Sequence, residues 1–214
     1  MRELTRAYEY LLEHQPDFRS ALATHLQLSG SALLIALVVC VPLGLWAAKR
    51  RAFAQPVINA ANALRVIPSL AILFLAQPYL GIGFPPSLVA LTVLACPPIL
   101  INTYAGFRSV DRAVVEAAYG MGMAGSQVIR RIELPLAFPI LLAGLRIAAV
   151  EVIASASLAA FIGGGGLGNF IQRGFAVNEP SIMLVGTIPT ALLALTAEAV
   201  LAIAARAVPH SPAS

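Results

Sequence analysis

The chain has 214 residues, 59% of them hydrophobic and only 11% charged, with a mean hydropathy of +0.84. Soluble domains carry about a quarter charged residues, so the composition excludes an ordinary globular domain and calls for an integral membrane protein. The net charge of +4 does not argue for nucleic acid, because the basic residues sit at segment ends, where membrane topology accounts for them.

The first 24 residues mix Arg2, Arg6 and Arg19 with Glu3, Glu9, Glu13 and Asp17, and hold no apolar core of a cleavable signal peptide. Leu4, Tyr8, Leu11 and Leu12 fall at helical spacing, which predicts a short amphipathic helix on the membrane surface, ended by Pro16 and Asp17. Five apolar stretches then have the roughly 20 residues a spanning helix needs: about 25–48, 56–79, 86–107, 136–162 and 180–206. The tail 207–214 is short, polar at its end and expected to be disordered.

Every predicted span contains proline or glycine, among them Pro42, Pro68, Pro97-Pro98, Pro139 and Pro189. Broken helices at membrane depth are tolerated where neighbours or a water-filled cavity satisfy the freed backbone groups. Breaks in every span favour a protein that lines a pathway over a purely structural bundle. Orientation follows from Lys and Arg. With residues 109–135 cytoplasmic, the inside segments hold Lys49, Arg50, Arg51, Arg108, Arg112, Arg130, Arg131 and Arg206, against Arg2, Arg6, Arg19 and Arg173 outside. Five crossings then put the amino terminus outside and the carboxyl terminus in the cytoplasm.

The longest polar interruption runs from Glu116 to Pro135. Ser109 or Asp111 can cap a short helix there, Gly120, Gly122 and Gly125 break it, and Ser126 can cap a second from Gln127 to Leu134, with Pro135 starting the next span. Ala117, Ala118 and Gly122 carry little side chain, so another protein can approach the backbone closely. Glu116 offers one charge to orient it.

These residues carry a specific resemblance. Glu116-Ala117-Ala118, three residues, Gly122, nine residues, Ile132, one residue, Leu134-Pro135 resembles in full the EAA loop of bacterial ABC importer permeases. The resemblance implies an all-α, type I (MetI-like) permease fold in the bacterial inner membrane. It also implies that Glu116, Ala117, Ala118, Gly122, Ile132, Leu134 and Pro135 form a coupling interface with an ATPase. The runs Ile67-Pro68-Ser69-Leu70-Ala71, Asn102-Thr103-Tyr104-Ala105-Gly106, Gly120-Met121-Gly122-Met123 and Ala159 to Gly168 resemble permeases for osmoprotectants such as glycine betaine, choline and carnitine. Two ATPase subunits, a second permease copy or sister permease, and an extracytoplasmic substrate-binding protein are the partners this implies. The chain has a single lysine, Lys49, outside any Gly-x-x-x-x-Gly-Lys-Ser/Thr loop, so ATP and its magnesium belong on a partner subunit.

Charged residues within spans are functional candidates by default. Glu151 is expected to face the pathway or to pair with Arg65 or Arg146, for both of which snorkelling to the surface is the other reading. Phe161, Leu167 and Phe170 are candidates for closing the outer end of the pathway, with plain packing as the alternative. Gly163 to Gly168 fits Gly-x-Gly-x-x-Gly, but it follows a membrane helix instead of a strand, which excludes a dinucleotide site. His14, His25 and His210 are dispersed, and Cys40 and Cys96 lie within apolar runs, so neither set predicts a metal site. Three rival readings compete with the importer. A permease for another solute such as an amino acid is opposed by the runs around Pro68, Asn102 and Gly166. A secondary transporter would predict an inverted repeat, and an intramembrane enzyme would need a catalytic constellation; neither is present.

Overall fold

The computed structural model describes residues 2–207, with the backbone alone at Arg51, Arg206 and Ala207; the predicted disordered tail lies outside the described residues from 208 onward. Helix α1 (Arg2–Glu13) is followed after His14 by α2 (Gln15–Lys49). Pro16 therefore opens α2, sitting in its first turn where a missing N–H costs nothing. At 1.5 Å per residue the 35 residues of α2 reach about 52 Å, well beyond a hydrocarbon core of about 30 Å. The predicted span 25–48 is the apolar part of this longer rod.

The second predicted span is not one helix. Residues 56–79 divide into α3 (Arg51–Val66) and α4 (Ser69–Leu80), bent by 95° at the break. Pro68 explains this: its ring pushes the preceding Ile67 to extended backbone (ψ 121°), and Pro68 itself (ψ 136°) lies outside the helical region. Helix α5 (Phe84–Ser109) follows, then the short α6 (Arg112–Gly120) and α7 (Gly125–Val128). A single wide turn, Ile129–Glu133, with Leu134 N–H reaching back to Ile129 O, joins α7 directly to α8 (Leu134–Ala156). Pro135 therefore does not begin a new helix. Lacking an N–H for the regular ladder, it sits just after the widened turn. With this wide turn near its start and a final tight turn at its end, the helical rod runs on from Gly125 to Ile162. Helices α9 (Gly168–Ala176) and α10 (Pro180–Ala207) complete the chain.

Helix α5 lies between α2 and α8, and small residues bring the three together. A Cβ on Gly44 of α2 would lie 2.8 Å from Thr103; one on Gly144 of α8 would lie 2.5 Å from Asn102 Cβ and 2.7 Å from Pro98 O. Gly106 of α5 is equally tight against α8, 2.9 Å from Ala137 O. The run Asn102 to Gly106 is thus the crossing point of three helices. Membrane helices lack a hydrophobic drive to associate and rely on such close backbone approach. Leu28, Ala32, Ala36 and Cys40, spaced four apart, form the face of α2 buried against Leu91, Ala95 and Ile99 of α5 and Ala148 and Val152 of α8.

Two polar links fix the ends of the bundle. Lys49, the last residue of α2, pairs with Glu133 at the root of α8. At the far end, Gly83 N–H donates to Ile162 O at 2.7 Å. The bent pair α3–α4 therefore carries the chain from one end of the bundle to the other, and counts as a crossing despite its break. With α2, α5, α8 and α10 this makes five passages. At the Gly83 end, Gly163, Gly165 and Gly166 take positive φ of 74–85° in a turn packed on His25. The predicted amphipathic helix α1 is present. Its Ala7, Tyr10 and Leu11 pack against Phe170 of α9 and Val185 of α10, while Leu4, Tyr8 and Leu12 are exposed.

Candidate coupling site

Helices α6 and α7 form a knuckle at the Lys49 end of the bundle. Of the two predicted caps for α6, Asp111 is the one used: its Oδ1 accepts Ala113 N–H at 2.9 Å, while Ser109 Oγ donates back to Gly106 O in α5. The helix ends on Gly122, whose N–H reaches Tyr119 O (2.9 Å) as Met123 N–H reaches Ala118 O (3.2 Å). Gly122 has φ +82° and nothing within 4 Å of a Cβ placed on it, so within this chain glycine is needed for its backbone conformation and not for space. Helix α7 is opened by Ala124 and not by Ser126: Gln127 Oε1 accepts Ala124 N–H at 2.9 Å, one half of a capping box.

The seven residues of the EAA pattern divide into two groups. Glu116, Ala117, Gly122 and Pro135 are exposed, beside Tyr119 and the 75% exposed Met121. Ala118 is buried at 1%, and Ile132 and Leu134 are half-buried. Leu134 joins Ile129, Val110 and Leu45 around Ala48, Phe107 and Ala137, tying the knuckle to the ends of α2 and α5. Only the first group is open to a partner; the second roots the knuckle in its own bundle.

Sequence reasoning missed Glu133. It is 3% exposed, and both carboxylate oxygens accept from Lys49 Nζ, one at 2.6 Å. The signal was an acidic side chain between Ile132 and Leu134 in a chain with one lysine. A cleft of about 470 Å³ opens beside the pair, lined by Lys49, Arg108, Arg112, Glu116, Tyr119 and Glu133 among others.

The charges within the spans are arranged differently from the expectation. Arg146 pairs with Glu198 of α10 (Nε to Oε2 3.3 Å), not with Glu151, because α8 packs along α10. Glu151 is half-buried and has no salt bridge among the described residues; the cation whose field reaches it is Arg65, exposed on α3. Leu167 (0% exposed) and Phe170 (3%) are packed inside the chain's own core, Phe170 against Tyr10 and Phe18 at 6.5 and 6.2 Å between ring centres. Phe161, by contrast, is 49% exposed. His25 is fully buried, with Nε2 3.0 Å from Ile153 O. No group of three His, Cys, Asp or Glu among the described residues is placed to hold a metal.

Residues 40–209 match the model of the binding-protein-dependent transport system inner membrane component. The chain belongs to this family. It is similar to the carnitine transport permease protein OpuCB of Listeria monocytogenes, 42% identical over 81% of this chain and 80% of that one. It is also similar to the glycine betaine/carnitine/choline transport system permease protein OpuCB of Bacillus subtilis, 41% identical over 86% and 85%. A third relative is the osmoprotectant import permease protein OsmY of Salmonella typhimurium, 38% identical over 91% and 83%. In fold it matches a chain of the inward-facing MetNI methionine ABC transporter with a TM-score of 0.81 at 20% identity, over 92% of this chain and 99% of that one. An amino acid ABC transporter gives 0.72 at 20% identity, over 92% and 96%. The permease is thus a transport subunit of the plasma membrane and not an enzyme; ATP hydrolysis lies on separate subunits, and a substrate-binding protein delivers the solute.

Proposed function

We propose that this permease moves a quaternary-ammonium osmoprotectant of the glycine betaine, choline and carnitine group into the cell. The observation that carries the reading is identity of 38 to 42% across most of the chain to permeases named for those solutes. The exposed part of the knuckle (Glu116, Ala117, Gly122, Pro135) docks an ATPase, and Ala118, Ile132 and Leu134 hold the knuckle in register behind it. The complex contains two permeases, as five helices are too few to enclose a pathway, and two ATPases that hold ATP and its magnesium. ATP binding draws the ATPases together and carries the knuckles with them, shifting the bundle between outward-open and inward-open states.

Orientation follows from charge: Lys49, Arg50, Arg108, Arg112, Arg130 and Arg131 all lie at the knuckle end, which supports placing that end in the cytoplasm, with the amino terminus outside and the carboxyl terminus inside. The pathway is lined by Glu151, with Arg65 nearby, and Phe161 contributes at its outer end. Recognition of the ammonium group is left to the binding protein. The chain's one tryptophan, Trp46, packs against Phe53 with ring centres 4.9 Å apart and planes tilted by 33°, near the Lys49 end of α2, and so offers no aromatic cage at mid-membrane depth.

The test is uptake of radiolabelled glycine betaine, choline and carnitine at high osmolarity, in cells whose other osmoprotectant uptake is deleted and which express this permease with its binding protein and ATPase. At least one solute should accumulate, and accumulation should stop in Glu116→Lys. Failure of all three, with uptake of an amino acid instead, would overturn the substrate.

A further inference from the structure

The geometry points to the Lys49–Glu133 ion pair as the positioning link that makes the corner between α2 and α3 move with the knuckle. The proposal rests on the reading of the knuckle as the ATPase dock. Among the described residues this pair is the one hydrogen-bonded link between α2 and residues 109–135. Glu133 is buried at 3%, so its carboxylate is held by Lys49 and has little water to turn to. On the other side Lys49 is the last residue of α2, and Arg50 alone separates it from α3. Displacement at Glu133 is therefore delivered to the corner where the 35-residue α2 meets the bent pair α3–α4.

The backbone around Glu133 suits such a role. It lies in the widened turn Ile129–Glu133, where Leu134 N–H bonds five residues back instead of four, and Pro135 withholds the next donor. The knuckle is therefore less stiffly joined to α8 than an unbroken helix would make it. A knuckle attached to α8 through a softened turn needs a second attachment if its motion is to reach α2. The apolar cluster of Ala48, Phe107 and Ala137 keeps the parts adjacent, but it can slide. A charge-assisted pair holding both carboxylate oxygens fixes direction and distance. ATPase motion thereby reaches α2 and, through Arg50, the bent helix pair, as well as α8.

The test uses the full complex of permease, ATPase and binding protein reconstituted in proteoliposomes, with glycine betaine, choline and carnitine each supplied as the transported probe. The readout is stimulation of ATP hydrolysis by the solute-loaded binding protein, alongside ATPase co-purification and thermal stability. Lys49→Met and Glu133→Gln should keep the ATPase bound while stimulation falls about fivefold or more, the lower end of typical coupling between sites. Lys49→Arg should keep stimulation near the wild-type value, and the exchange Lys49→Glu with Glu133→Lys should restore part of it. Stimulation unchanged in both single variants would overturn the link. So would equal, additive losses that neither Lys49→Arg nor the exchange relieves, since these would mark the pair as a structural brace alone. If the ATPase fails to co-purify even with the wild-type permease, it is the docking reading that falls.

Discussion

Gly122 offers the sharpest test of how the knuckle is built. It closes α6 at φ +82° with no atom within 4 Å of a Cβ placed on it. Gly122→Ala therefore meets no clash, and its whole effect is backbone strain, about 1–2 kcal/mol for an ordinary residue in the left-handed region. Since about 1.4 kcal/mol is a tenfold change, the closed turn should be depopulated by roughly 5- to 30-fold relative to conformers in which Met123 N–H loses Ala118 O. The bundle, held elsewhere, should be untouched. The assay is ATPase affinity and uptake in the assembled complex, with thermal stability of the isolated permease as control. Gly122→Ala should weaken ATPase binding several-fold at unchanged stability, and Gly122→Asn, which tolerates positive φ, should lose much less. Equal defects in Ala and Asn would show that a partner needs the bare backbone and that strain is not the cause. Wild-type behaviour in both would refute the strain reasoning altogether.

Three further outcomes follow from the geometry. Gly144→Ala forces a methyl to within 2.5 Å of Asn102 Cβ and 2.7 Å of the Pro98 carbonyl. It should cost about 2 kcal/mol and lower the melting temperature by about 4–8 °C, whereas Gly30→Ala, with nothing within 4 Å, should leave it unchanged. Arg146→Leu strands Glu198 beside the membrane interior. Expression and melting temperature should fall in this variant and recover when Glu198→Leu is added, measured by detergent-solubilised yield and thermal scanning. Glu151→Gln should reduce solute uptake at normal expression and normal ATPase binding; uptake equal to wild type would remove Glu151 from the pathway.

Much of this architecture is legible in the residues. Apolar runs of sufficient length reveal spanning helices because the bilayer demands them regardless of neighbours. Likewise Asp111 as a cap and Gly122 as a stop are local decisions of the backbone. The EAA pattern falls on α6, the widened turn and the start of α8, and four of its residues are on the open surface. The division between those four and the buried Ala118 and half-buried Ile132 and Leu134 was not legible, because it depends on which side of these helices faces the bundle.

What local pattern left undecided are the partnerships across the chain. Residues 56–79 have the composition of one span, and only the backbone at Ile67-Pro68 turns them through 95°. Glu151, Arg65, Arg146 and Glu198 can pair in several ways on paper; the packing of α8 along α10 chooses Arg146 with Glu198. Lys49 and Glu133 stand 84 positions apart and meet only because small residues draw α2, α5 and α8 into one crossing. Hydrophobicity and caps act over a turn or a span and can be read from neighbours in sequence. Ion pairs and gates require two distant segments at one point in space, and that is settled by helix packing.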